Sequence, residues 1–92
     1  MLVINETWVD KTQNALCGSS GYYEPYTEDL GELFRSLQRE YGRCVSRVYQ
    51  DNCLDGTSWV NGWVFEKKHK YNDCNEYYLA ETWVTYKHVL ES

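Results

Sequence analysis

Residues 29–51, DLGELFRSLQREYGRCVSRVYQD, constrain the fold more than any other stretch, because two periodicities meet there without a linker. Leu30, Leu33, Phe34, Leu37 and Tyr41 recur at helical spacing and make one apolar stripe. Thr27 is placed as an N-cap, with Glu28 and Asp29 in the first turn, where negative charge suits the helix dipole. Arg39 and Arg43 stand near the far end, where positive charge suits it, and Gly42 is placed to stop the helix. The run after it, Cys44-Val45-Ser46-Arg47-Val48-Tyr49, alternates and is rich in β-formers. A helix over about 28–41 that hands over to a strand over about 44–50 is therefore predicted.

The rest of the chain supplies strands. Leu2–Val9 is β-prone, with Leu2, Ile4 and Trp8 on one face. Asp10–Gly21 reads as a turn-rich connector ending in Gly-Ser-Ser-Gly. Tyr22-Tyr23-Glu24-Pro25-Tyr26 reads as extended, since the proline disfavours helix at Glu24. Asp55-Gly56 is a turn signal ahead of a strand over about 59–71, and 72–76 is a polar turn ahead of a last strand over about 77–90. On the last strand, Tyr77, Leu79 and Trp83 share one face; Tyr78, Ala80, Val84 and Tyr86 share the other. The expectation is α+β: one helix packed on an antiparallel sheet of three to four strands, in the order β-α-β-β-β. The 92 residues read as a single domain, with an N-terminal strand and loop over 1–26 and a helix plus β-meander over 27–92. Glu-Thr-Trp-Val occurs at 6–9 and again at 81–84, but the flanks do not repeat, which argues against a duplicated strand.

One helix cannot cover both faces of such a sheet, and the aromatic content makes this matter. The chain has nine Tyr and four Trp but only two Phe. Tyr and Trp tolerate half-exposed positions and favour binding hot spots. The tryptophans are expected mainly inside and about half the tyrosines outside. Tyr22, Tyr23, Tyr77, Tyr78 and Tyr86 are the candidate partner-binding residues. The net charge of −5 argues against general nucleic-acid binding, which needs clustered bases, and allows an acidic recognition surface.

Catalytic patterns are weak. No Cys-x-x-Cys pair or His pair has metal-ligand spacing, so neither a metal nor a cofactor is expected. None of Cys17, Cys44, Cys53 and Cys74 stands beside a nucleophile elbow or a Gly-rich oxyanion turn. A cysteine-dependent enzyme is the weakest reading, with Cys17-Gly18-Ser19-Ser20 its best candidate. No apolar run is long enough to cross a membrane, and MLVINETWVD lacks the basic and apolar regions of a signal peptide. A cytosolic protein with four free thiols is expected. Lys67, His69 and Tyr71 alternate with Lys68 and Lys70, which divides the charge between two faces, as on an edge strand guarded by lysines. The alternative is a small-anion or nucleotide site that uses Arg47, Lys67 and Lys68 with aromatic stacking.

The strings GELFRSLQREYGRC (31–44), GWVFEK (62–67), YND (71–73) and YLAETWV (78–84) resemble a family of small accessory proteins encoded by phages of mycobacteria and related actinobacteria. The resemblance covers roughly residues 29–88. It implies expression in the cytoplasm of a bacterial host during infection. Small phage proteins of this size often bind and disable a host protein, in takeover or against defence. The expected function is thus a non-enzymatic binder of a host protein, acting through an acidic, Tyr/Trp-rich surface. Self-association through an edge strand is a further expected mode of contact.

Overall fold

The computed structural model describes residues 1–12, 15–49 and 61–88, with backbone alone for 15–20, 22 and 49. The elements are β1 (Leu2–Asp10), β2 (Ala15–Tyr23), α1 (Leu30–Tyr41), β3 (Arg43–Tyr49), β4 (Asn61–Lys70) and β5 (Tyr77–His88). The strands form one antiparallel sheet in the order β2-β1-β5-β4-β3. The class is α+β, as expected, with a helix laid on an antiparallel sheet. The elements β1, α1, β3, β4 and β5 follow one another in the expected β-α-β-β-β order.

The structure adds β2, in the segment read as a connector. It pairs with β1 through two register shifts, between Glu6 and Thr7 and between Trp8 and Val9. Such shifts let a Gly- and Ser-rich strand follow a regular neighbour. β2 and β3 are the two edges, so α1 crosses from one edge of the sheet to the other. β1 lies between β2 and β5, so it is not an edge strand of the sheet. The Asp55-Gly56 turn, Cys53, Trp59 and the residues after His88 lie outside the described residues.

The helix forms where its stripe predicts, with a different cap. Asp29, not Thr27, is the N-cap: its Oδ1 accepts from the Gly31 and Glu32 amides at 2.9 and 3.2 Å. Thr27 supports the cap by accepting the Asp29 amide at 3.1 Å. Gly42 ends the helix at φ +98° and donates to the Gln38 carbonyl at 2.9 Å. A Cβ there would lie 2.5 Å from the Glu66 carbonyl oxygen, so glycine is required both by its φ and by the close approach of β4.

Leu33 and Leu37 drop into a core made with Leu2, Ile4, Trp63, Phe65, Val84 and Tyr86. Leu30, Phe34, Tyr41 and Cys44 pack around it. The Leu2 amide donates to Glu28 at 2.9 Å, which ties the first strand to the chain entering the helix. This core lies on one face of the sheet only.

Candidate interaction surface on the open sheet face

Register fixes what the other face carries. Cross-strand partners share a face and neighbours along a strand alternate. With Val84 and Tyr86 under the helix, Tyr77, Leu79, Glu81, Trp83 and Thr85 of β5 point away from it. Val3, Asn5, Thr7 and Val9 of β1 and Val64, Glu66 and Lys68 of β4 point the same way. Among the described residues no element packs on this side.

At its middle stands Trp83, 41% exposed, paired across the ladders with Thr7 and with buried Val64. Its indole Nε1 donates to Glu81, which fixes the ring over the strand. Glu81 is directly opposite Glu66, an unfavourable like-charge pair. Lys11 resolves it, with Nζ 3.3 Å from a carboxylate oxygen of each. Hydrogen bonds to Glu66 and Glu81 hold the Lys11 ammonium above the usual lysine range. Toward one end Tyr77 is 51% exposed, with Lys68 Nζ 4.4 Å from its ring centroid, a cation–π contact. The surface is therefore an indole, a phenol and aliphatic side chains set among lysines and two carboxylates.

The tyrosines singled out by sequence do not gather in one place. Tyr77 is on the open face. Tyr78, on the helix side, packs against Trp8, His69 and Tyr71 at 5.9, 5.3 and 4.6 Å between centroids, beyond the reach of α1. Tyr71 donates to buried Asp10 at 3.0 Å and closes that cluster. Tyr23, on an edge strand, donates its phenol to Glu6. The side chain of Tyr22 lies outside the described residues. Tyr86 must be corrected: it is 8% exposed and packs at a tilt against Trp63, 5.1 Å between ring centroids, within the core, where no partner reaches it. Its alternation with Tyr78 gave no hint of this, because only α1 distinguishes the two.

Two further expectations change. Of the tryptophans, Trp63 is buried as expected, but Trp83 is exposed. Acidity and open-face aromatics also separate. Glu24, Glu28, Asp29 and Glu32 lie exposed around the helix start, beside Tyr26 at 66% exposure, while the open face carries more lysine than acid. Trp83 and Tyr26 belong to the aromatic surplus seen in the sequence but were not among the candidate partner-binding residues, and Lys11 was not singled out at all. For Trp83 the signal was present, since it alternates with the core residue Val84.

The suggested anion strip is not assembled. Arg47 lies across from Trp63 and joins it, Leu30, Gly31, Phe34 and Cys44 in a cleft of about 320 Å³ between α1 and β3. Lys67 is four residues along β4 from Trp63, about 13 Å away. There its Nζ donates to the Glu40 carbonyl at 3.3 Å and serves the helix end. Lys68 is on the opposite face. These lysines lie beyond the start of β3, since the β3–β4 ladder begins with Arg43 opposite Glu66, so among the described residues this stretch of β4 has a free edge on one side.

Cys44 and Cys74 are free thiols, and Cys44 donates to the Ser46 carbonyl at 3.2 Å. The Cys17 side chain and Cys53 lie outside the described residues. Among the described residues no helix is long and apolar enough to cross a membrane. Compared with protein-family models, curated proteins and solved structures, the chain matches none.

Proposed function

We propose that the protein is a non-enzymatic binder that modulates a host protein in the host cytoplasm, and that the open sheet face is where it binds. The observation that carries this reading is Trp83, a large indole left 41% exposed on the central strand of a five-stranded sheet. Exposed apolar surface of this kind commonly marks an interaction site. A Trp anchored by its own hydrogen bond loses little freedom on binding, which suits a hot spot. The partner that fits has an apolar pocket for the indole, with carboxylates to meet Lys68 and Lys70. The phage resemblance supplies the setting: a small protein made inside a bacterial host.

The test is capture of a host partner by purified wild-type protein and by Trp83→Ala and Tyr77→Ala. Loss of a hot spot should weaken binding by about 2 kcal/mol or more, while Tyr26→Ala, away from this face, leaves it unchanged. Equal capture by Trp83→Ala would remove the open face from the reading. A folded Cys44→Ser or Cys74→Ser variant that still captures the partner but loses the cellular effect would point to chemistry instead.

A further inference from the structure

The arginines are distributed unlike the lysines. All of them, Arg35, Arg39, Arg43 and Arg47, fall within thirteen residues of α1 and β3, and no lysine is among them. Two of them, Arg39 and Arg43, flank the point where the helix turns into the strand. Arg35, Gln38, Arg39, Gly42 and Arg43 line an open groove of about 560 Å³. Arg35 and Arg39 are one helical turn apart and both exposed, and neither forms an ion pair among the described residues. Arg43 is 80% exposed in its side chain and touches Glu66 only at 3.9 Å. Gly42 lies between Arg39 and Arg43 in the lining, and Gln38 adds an amide donor.

The helix dipole explains a base in the last turn, which Arg39 supplies. It does not explain a second arginine, Arg43, lining the same open groove. Like charges brought together cost free energy unless an anion joins them. The charge of Glu40, the acid next to Arg39, bears on Tyr23 and Tyr41. Among the described residues no aromatic or aliphatic side chain lines the groove. An occupant is therefore recognised by charge and hydrogen bonding alone.

We propose that this groove binds an oligophosphate: a ligand with two or more linked phosphate groups, free or carried on a nucleoside. Guanidinium forks pair with tetrahedral oxyanions through two parallel hydrogen bonds, which a lysine ammonium cannot do. Two forks on a short groove suit linked phosphates better than a single one. An acidic peptide is the rival occupant, and it would need charge but not the fork.

The test uses purified full-length protein at low salt and inorganic tripolyphosphate as the probe, followed by calorimetry. Binding is expected, with an affinity that falls steeply as salt rises. Arg39→Gln and Arg43→Gln should each weaken it about tenfold or more, and Arg39→Lys by a similar factor despite keeping its charge. These are exposed side chains, and unchanged circular dichroism spectra would establish that the variants fold. ATP compared with tripolyphosphate identifies the source. Equal affinity means that the phosphates alone are read, while tighter ATP binding means that the base adds contacts in the neighbouring cleft of Phe34 and Trp63. Absence of binding at about 1 mM tripolyphosphate would overturn the proposal. So would binding unchanged in Arg39→Gln with Arg43→Gln, or hexaglutamate bound as tightly as tripolyphosphate. No host partner enters this experiment, so its failure leaves the open-face reading untouched, and the reverse also holds.

Discussion

The tetrapeptide Glu-Thr-Trp-Val is used twice, and the two copies lie against each other. Residues 6–9 of β1 pair antiparallel with residues 84–81 of β5, so Glu6 faces Val84 and Val9 faces Glu81. In that register Glu6 and Trp8 point to the helix side, and Glu81 and Trp83 to the open side. Glu6 is 8% exposed and accepts hydrogen bonds from Tyr23 and Tyr41, the latter at 2.6 Å. Glu81 meets Lys11 and the Trp83 indole near solvent. Trp8 packs edge-on against Tyr78; Trp83 is exposed. The same four residues thus make an interior carboxylate clamp in one copy and a surface anchor in the other. Local sequence sets which side chains alternate; tertiary context decides which face is the inside.

Substitution at the two glutamates should separate the copies most strongly. Glu6→Ala leaves two half-buried phenols without their acceptor and opens the joint between β1, β2 and the end of α1. Its cost should be about 3 kcal/mol, from two hydrogen bonds to a charged group. Glu81→Ala should cost about 1 kcal/mol or less and relieves the repulsion with Glu66. Urea denaturation of the two variants measures the difference, and equal midpoints would mean that the two environments do not differ in energy.

The tryptophans give the second contrast. Trp8→Ala removes a half-buried ring from the Tyr78 cluster and should cost about 2 kcal/mol, below the range for a fully buried Trp. Trp83→Ala should cost about 1 kcal/mol or less in thermal unfolding, while abolishing partner capture. A large stability loss at Trp83 would mean that the exposed indole serves the fold and not recognition.

The helix, β3, β4 and β5 were legible because each has one clear period: 3.6 for the Leu30–Tyr41 stripe, two for the strands. β2 was not legible, since ALCGSSG has few β-branched residues and is a strand through pairing with β1, not through preference. The site was legible only in kind. A surplus of Tyr and Trp pointed to a recognition surface, but which faces they occupy depends on where α1 crosses. Tyr86 and Tyr78 have the same alternation, and only the first lies under the helix. Nor could sequence show that Lys11, just beyond β1, would reach both Glu66 and Glu81, because that contact needs three strands in register.

Alkaline pH acts on both copies. Burial, then the hydrogen bond to Glu6 and its charge, raises the Tyr41 phenol above the ordinary tyrosine value near 10, and Tyr23 is raised in the same way. Above that value the unfolded chain releases protons that the folded chain keeps. The contribution is therefore whole below about pH 10 and is lost as pH rises further. Tyr41→Phe should flatten this decline in denaturation midpoints measured from pH 8 to 11. An unchanged slope would show that the Glu6 clamp does not carry the titration.

Lys11 gives the smallest effect and the sharpest comparison. Its raised pKa works in the same direction, since the ion pairs with Glu66 and Glu81 are whole below the ordinary lysine value of 10.5 and lost above it. The two contributions overlap in pH but differ in screening. Lys11 is exposed, so salt should weaken its pairs, whereas the Glu6 clamp is a pair of part-buried hydrogen bonds to a buried carboxylate, which salt reaches much less. Lys11→Met should lower the unfolding temperature slightly at low salt and hardly at all near 1 M, where the Debye length is about 3 Å. The Tyr41→Phe decrement should be the same at both. If salt erased the Tyr41 effect as well, the two Glu-Thr-Trp-Val copies would be electrostatically alike, and the inside–outside distinction drawn from their register would fail at the carboxylates.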